Sequence, residues 1–162
     1  MKTRLTILIL CSICFQTLKA QTTAELSRLL DHIAGPSKDI SKTSAGAKMI
    51  SLGPKILKPL SDIFTDTTQT KVYSECQSRY LTKADLAIIL SDRIEMMPYA
   101  QVTGIQNCLF QFCPDNRNLI EYYLFAVRRK GYATFKADYL AWLKSADRLK
   151  EMRQRGGRAG RS

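Results

Sequence analysis

Apolar residues recur every three or four positions along most of the chain after residue 21, which is the spacing of amphipathic helices. The clearest helix begins at Thr82, where Asp85 stands three residues on in a capping-box arrangement and Leu81 is placed to pack on Leu86. Its apolar face runs to a break at Pro98 and consists of Leu86, Ile89, Leu90, Ile94 and Met97. We expect this helix and the next one, within residues 81–113, to form a buried hairpin on which the rest of the chain packs.

The chain before residue 47 predicts one helix followed by a loop. Thr22 with Glu25 forms a capping-box pattern, and apolar residues at helical spacing follow. Gly35-Pro36 ends this helix, because proline cannot continue the hydrogen-bond ladder. Residues 37–46 are rich in Ser, Lys, Gly and Thr without apolar periodicity, so they predict a loop.

Residues 47–66 read AKMISLGPKILKPLSDIFTD and predict two short helices. Pro54 suits the first turn of the second helix, and Pro59 predicts a kink within it. With L-G-P between the helices and L-x-x-I-F-x-D at the end, this stretch resembles one unit of a HEAT-like helical repeat. No second copy recurs at a fixed period, so the resemblance implies a local helix pair and not a solenoid.

Further segments extend the helical pattern towards the carboxyl end. Residues 66–70 predict a Thr-rich turn and residues 72–80 a short helical segment. A helix with Gly104 in its middle is predicted from Tyr99 to Phe112. Polar and glycine residues bound the last two helices: Asn118 and Glu121 as a cap, Gly131 as a stop and Thr134 as the next start.

Together these patterns predict an all-α fold, a compact single-domain bundle of six to eight helices over residues 21–152. A composition of 45% hydrophobic and 24% charged residues is typical of a globular domain. Residues 1–20 begin with Lys2 and Arg4, continue as an apolar run and end at Ala20, which is the order of a secretory signal peptide cleaved after Ala20. We therefore expect a periplasmic or secreted protein.

Half of the net charge that remains after residues 1–20 are removed lies at the carboxyl end. Removing residues 1–20 takes three of the 25 basic residues, so 22 basic minus 14 acidic residues leave a charge of +8. Residues 153–162 resemble an RGG-like segment, and we expect them to be disordered. Their basic residues are Arg153, Arg155, Arg158 and Arg161. Outside the cytoplasm, anionic lipids or acidic envelope polymers are better partners for this tail than nucleic acid.

Two expectations concern membranes and disulfides. No segment after the leader is apolar enough for a transmembrane helix, so we expect no integral membrane protein after cleavage. Three cysteines then remain, Cys76, Cys108 and Cys113, and two of them should pair in an oxidising compartment. Spacing leaves the pairing open between Cys108–Cys113 and a bond from Cys76 to either. The alternative is three buried thiols that pack as small apolar side chains.

No complete catalytic or metal site is visible in the sequence. Asp85, Asp92 and Glu95 are interpreted as a solvated helix face, and the chain has a single histidine, His32. After residue 20 neither a C-x-x-C nor an H-E-x-x-H motif occurs, and the one C-x-x-C, Cys11 to Cys14, lies in the predicted leader, so we expect no zinc site and no cofactor. An enzymatic alternative, a small carboxylate-dependent hydrolase or lytic enzyme, would use Asp92, Glu95 or Glu121.

Side-chain amides and tyrosines cluster after Pro98, and we interpret them as a possible interaction surface. Its members are Tyr99, Gln101, Gln106, Asn107, Tyr122 and Tyr123. The sequence therefore favours a non-catalytic binding protein over an enzyme. Its partner would be another protein or an anionic component of the cell envelope.

Overall fold

The computed structural model describes residues 23–106, 113, 116 and 118–159, with side chains as far as Arg153. The fold is mostly helical with a small three-stranded sheet, so the all-α prediction is only approximately right. None of the helices in these residues is long and apolar enough to cross a membrane. The signal peptide predicted for residues 1–20 lies outside the described chain.

Eight α-helices and two 3-10 helices make up the helical part of the described residues. The α-helices are α1 (residues 23–31), α2 (Ser44–Ser51), α3 (Leu57–Ser61), α4 (Lys83–Ile94), α5 (Tyr99–Thr103), α6 (Ile120–Lys130), α7 (Tyr132–Leu143) and α8 (Ala146–Ala159). The 3-10 helices span Ser37–Lys42 and Gly53–Ile56. Pro54 lies in the first turn of the second one, as its fixed backbone angle favours.

The central helix α4 forms where the sequence predicts it. Thr82 caps it: its hydroxyl accepts a hydrogen bond from the Asp85 amide, and the Asp85 carboxylate accepts one from the Thr82 amide at 2.9 Å. Leu86 and Ile89 are fully buried, and every residue from Ala84 to Asp92 is buried. The helix packs against α2, α3 and α6. The prediction of a buried central helix is confirmed.

An aromatic cluster closes the core between α3 and α7. Phe64 follows α3, and its ring centroid lies 5.0 Å from that of Tyr139 and 5.8 Å from that of Phe135. All three rings are fully buried, and Trp142 packs 5.4 Å from Tyr139. These residues join the end of the predicted HEAT-like stretch to the apolar stripe of the last predicted helix.

The sheet is the main feature that the sequence did not predict. Its strands are β1 (Ala34–Pro36), β2 (Gln69–Ser74) and β3 (Arg79–Thr82), with β2 in the centre, parallel to β1 and antiparallel to β3. The helical prediction for residues 72–80 is therefore wrong. Within β2, Val72 and Ser74 are buried while Tyr73 is exposed, which is the alternation of a strand.

Other boundaries also differ from the prediction. Helix α1 ends at residue 31, before Gly35-Pro36, and residues 34–36 form strand β1. Gly104 is not inside a helix: its left-handed backbone (φ 73°) caps the end of α5. Residues 37–46 are not a loop, since they contain the first 3-10 helix and the start of α2. A Cβ atom on Gly46 would lie 2.0 Å from the carbonyl oxygen of Ile40, so this close approach requires glycine. Helix α7 begins at Tyr132, two residues before Thr134.

The last helix continues into the Arg/Gly segment. Its backbone is helical to Ala159, and the side chains of Leu149, Met152 and Arg153 are exposed. Arg155 and Arg158 lie on this helix, and Arg161 follows the described residues.

Candidate functional site

Packing of α5 on α6 brings together the tyrosines of the predicted interaction surface. Tyr99 stacks on Tyr123 with ring centroids 4.8 Å apart. Tyr122 meets Tyr123 edge-on at 5.1 Å, and Phe125 meets Tyr122 edge-on at 5.6 Å. Offset and edge-to-face arrangements are the favourable ones for aromatic pairs, so the four rings support one another.

The outer side of this aromatic cluster faces solvent along α6. We define the α6 surface as Leu119, Tyr122, Phe125, Arg128 and Arg129. Leu119 is 44% exposed and Phe125 39% exposed, whereas Tyr123 beneath them is buried. Spacings of three and four residues place Tyr122, Phe125 and Arg129 on one side of the helix. The result is an apolar stripe that ends in two exposed arginines.

The positive charges of Arg128 and Arg129 are not neutralised by an acidic side chain of the described residues. Arg128 donates a hydrogen bond to the neutral Gln77 side chain at 3.1 Å. Within the described part of the chain, neither Arg128 nor Arg129 forms an ion pair, whereas the neighbouring Lys130 pairs with Asp138. Both arginines also lie in the last turn of α6, where the helix dipole favours positive charge.

Two of the three side-chain amides predicted for this surface lie in the described part of the structure. Gln101 on α5 and Gln106 beyond it are exposed, so they are on the outside of the molecule rather than buried. Asn107 lies outside the described residues. Sequence reasoning missed Phe125, Arg128 and Arg129. The sequence shows an aromatic residue followed at three and four positions by arginine, but the exposure of Phe125 is visible only in the structure.

The acidic residues of α4 do not form the solvated face that the sequence predicted. Asp85 is fully buried, and Asp92 is only 8% exposed. Asp92 accepts hydrogen bonds from the Met97 amide at 3.0 Å and from the Tyr99 hydroxyl at 2.9 Å. Burial raises the pKa of Asp92 to about 6, and these hydrogen bonds offset only part of that effect.

Glu95, one turn after Asp92, is held by a different partner. Its two carboxylate oxygens accept hydrogen bonds from Nε and Nη2 of Arg148 at 2.6 and 2.7 Å. Both side chains are nearly buried, and the guanidinium also lies 5.5 Å from the ring centre of Trp142. This bidentate pair fastens the start of α8 to the end of α4 and engages both carboxylate oxygens.

Glu121 is fully buried and joins two distant parts of the chain to the nearby Asn116. One oxygen accepts hydrogen bonds from the hydroxyls of Ser37, at 2.8 Å, and Ser74. The other accepts from the Asn116 side chain at 2.5 Å. The predicted cap by Asn118 is wrong, because the Asn118 amide donates instead to the Ser37 carbonyl at 2.8 Å, and the side chain makes no cap to α6. All of these contacts are internal, which is typical of a structural carboxylate.

The disulfide pair lies beside this polar cluster. The sulfur atoms of Cys76 and Cys113 are at bonding distance, with Cα atoms 5.6 Å apart, and Asn116 donates to Cys76 Sγ at 3.4 Å. Of the pairings that the sequence left open, the described structure contains the one from Cys76 to Cys113, and Cys108 lies outside it. The adjoining cavity is about 60 Å³, which is room for only a few water molecules.

Across the described residues, no group of three or more His, Cys, Asp or Glu side chains is arranged to hold a metal ion. Three comparisons with known proteins add no relationship. Neither a protein-family model, nor a curated protein, nor a solved structure matches the chain. Its function is therefore inferred from its own residues.

Proposed function

We propose that this protein is a non-catalytic binding protein of the periplasm or extracellular space that holds a partner protein on the α6 surface. The observation that carries the proposal is the exposed aromatic stripe ending in Arg128 and Arg129, supported from below by the stack of Tyr99 on Tyr123. Aromatic side chains and arginine are the residues most enriched at protein interfaces and among their hot spots.

The ring contacts make this surface suitable for tight recognition. Tyr122 and Phe125 are fixed against each other and against the buried Tyr123 before any partner arrives. Binding then costs less side-chain entropy than it would on flexible residues, so more of the contact energy appears as affinity.

The charge at one end of the stripe indicates the chemistry of the partner. Two arginines without acidic partners in the described residues favour a protein that presents carboxylates beside an apolar patch. Complementary charge mainly speeds association and is screened by salt. We expect the association rate to fall with rising ionic strength, and the apolar contact to persist.

Two observations support a location outside the cytoplasm. Residues 1–20 have the pattern of a secretory leader, and Cys76 with Cys113 forms a pair of the kind that persists in oxidising compartments.

The alternative, a small carboxylate-dependent hydrolase or lytic enzyme, would need two acids that share a cleft. Asp92, Glu95 and Glu121 each bind internal partners: an amide and a phenol, an arginine, and two serines with an asparagine. Such contacts hold a carboxylate in place and occupy the lone pairs that acid or base chemistry would use. This arrangement favours the binding protein.

Affinity capture with matched variants tests the proposal. The tagged mature protein is compared with Phe125→Ser/Arg129→Glu and with Met96→Ser, a control at a residue that is 70% exposed after α4. We expect wild type and control to retain one acidic protein from an envelope extract, which then binds the double variant at least tenfold more weakly in purified form. Equal binding to all three proteins would contradict a role for the α6 surface.

A further inference from the structure

A second surface feature lies away from the α6 residues, between α3 and α7. We define the α3–α7 groove by its lining: the start of the second 3-10 helix and α3 on one side, and the end of α7 with the start of α8 on the other. It has a volume of about 190 Å³ and opens to solvent. Its apolar wall consists of Pro54, Leu57, Leu140 and Leu143.

The charged residues that line the groove are all cations: Lys58, Lys144 and Arg148. Arg148 is neutralised by Glu95. Asp62, four residues after Lys58, pairs with a lysine of α7 instead. Among the residues that the structure describes, Lys58 and Lys144 have no ion-pair partner. The groove therefore combines an apolar wall with two uncompensated positive charges.

We propose that the α3–α7 groove binds a small aliphatic carboxylate, with its chain against Leu140 and Leu143 and its carboxylate between the two lysines. A purely inorganic anion would leave the apolar wall wet, and a neutral apolar ligand would leave both ammonium groups without a partner. An anionic amphiphile would cover the apolar wall with its chain and pair with the two lysines through its carboxylate.

The volume limits the size of the ligand. An enclosed cavity of about 150 Å³ holds benzene, so an open groove of about 190 Å³ can cover roughly six to eight carbons of an aliphatic chain. Ligands of that size lack the area to bind tightly through apolar contact alone, and the lysine charges then decide between a carboxylate and the matching alcohol. This site shares no residue with the α6 surface, so the inference is independent of the proposed function.

Titration calorimetry of the mature protein with three probes tests the class of ligand. Octanoate carries both features, acetate only the charge, and 1-octanol only the chain. We expect octanoate, below its micellar concentration, to bind at least tenfold more tightly than either of the others. Equal binding of acetate or of the alcohol would overturn the proposal, as would no octanoate binding at all.

Variants then place the site. Lys58→Met/Lys144→Met keeps the apolar stems, and we expect it to weaken octanoate binding at least tenfold. Leu140→Asn should weaken it without a change of charge, and Lys48→Met, at an exposed lysine on α2, should leave it unchanged. Circular dichroism confirms that each variant is folded. Unchanged affinity in the double variant, or binding to phosphatidylglycerol vesicles without binding to octanoate, would overturn the groove as a carboxylate site.

Discussion

An aspartate is buried near each end of α4, and the pKa values of the two carboxyl groups are shifted in opposite directions. At the amino end, burial acts to raise the pKa of Asp85, but hydrogen bonds from Arg79 and Thr82 and the charge of Arg79 outweigh it and lower the pKa. Arg79 Nη1 lies 2.8 Å from the carboxylate, and the Tyr132 hydroxyl donates to it at 2.9 Å. Towards the carboxyl end, Asp92 has no such cation in contact, and burial raises its pKa to about 6.

Burial alone therefore does not decide what a carboxylate contributes to stability. The amino end of a helix favours negative charge, and the carboxyl end disfavours it. Asp85 therefore gains from the helix, from its capping role and from Arg79. Burial near the carboxyl end of the helix destabilises the charged form of Asp92, and its two hydrogen bonds offset only part of this effect.

The largest expected effect is at the amino end. Asp85→Ala removes the capping box and leaves the Arg79 guanidinium with no carboxylate, although two of its nitrogens already lack partners. We expect a loss of about 4 kcal/mol in the free energy of unfolding, measured by urea denaturation. Asp31→Ala removes the half-exposed partner of Lys83 and should cost less than about 1 kcal/mol. Similar losses for the two variants would show that the Asp85 carboxylate stabilises the fold no more than a surface ion pair does.

A somewhat smaller effect is expected where α8 is fastened to the end of α4. Arg148→Met leaves the Glu95 carboxylate nearly buried without its bidentate partner. We expect a loss of about 3 kcal/mol in the same measurement. Arg93→Met, which removes one long hydrogen bond to Ser41 at 3.3 Å, is the control and should cost less than about 1 kcal/mol. A loss below that value for Arg148→Met would show that the pair is dispensable.

The pH dependence of stability separates the two aspartates. Between pH 3.8 and about 6 the folded protein binds a proton at Asp92 that the unfolded chain does not, so this residue makes stability fall as pH rises. Asp85 has the opposite sign: its stabilisation is present above pH 3.8 and is lost as pH falls through its lowered folded pKa.

Asp92→Asn should therefore remove the loss of stability between pH 4 and 7. We expect the variant to gain about 2 kcal/mol on wild type as pH rises across this range, measured by urea denaturation at each pH. Asp39→Asn, at an acid paired with Lys42 on the surface, should track wild type. Parallel curves for Asp92→Asn and wild type would contradict the assignment.

The smallest effect is expected when Asp92 loses the hydrogen bond from the Tyr99 hydroxyl. Tyr99→Phe keeps the ring on Tyr123 but removes the hydroxyl that donates to Asp92. We expect a loss of about 1 kcal/mol at pH 7 and an Asp92 pKa that is higher still, measured by NMR titration. Tyr80→Phe, at a half-exposed ring, is the control. An unchanged or lower pKa of Asp92 would show that the phenol does not stabilise the carboxylate.

The sequence predicts what short-range chemistry determines. The start of α4 follows from Thr82 and Asp85, which are three residues apart, and its burial follows from an apolar pattern that continues round the helix. The sheet could not be predicted in the same way, because β1 pairs with residues 71–73 and each strand is only three to six residues long. The alternation of a strand is too brief there to be distinguished from one turn of helix.

The candidate site was predictable only in part. Tyr99, Tyr122 and Tyr123 were named together with the nearby side-chain amides, but Phe125 was not, since its exposure depends on which side of α6 faces the core. Arg128 and Arg129 lie in the last turn of α6, where the helix dipole already accounts for positive charge, so the sequence alone offered no reason to assign them to a surface. The partner of Cys76 was left open because spacing does not encode how β2 and residue 113 approach each other.

Glu121 has a consequence for how the chain acquires its structure. The serines that donate to it precede it by 84 and 47 residues, so both are synthesised long before their acceptor. Until α6 is complete, the Ser74 hydroxyl of β2 and the Ser37 hydroxyl at the start of the first 3-10 helix lack the carboxylate that accepts their hydrogen bonds once they are buried. Contacts this distant in sequence slow folding and make it cooperative. A chain that stops before residue 121 should therefore remain unfolded as a whole, and should not accumulate as a stable amino-terminal fragment.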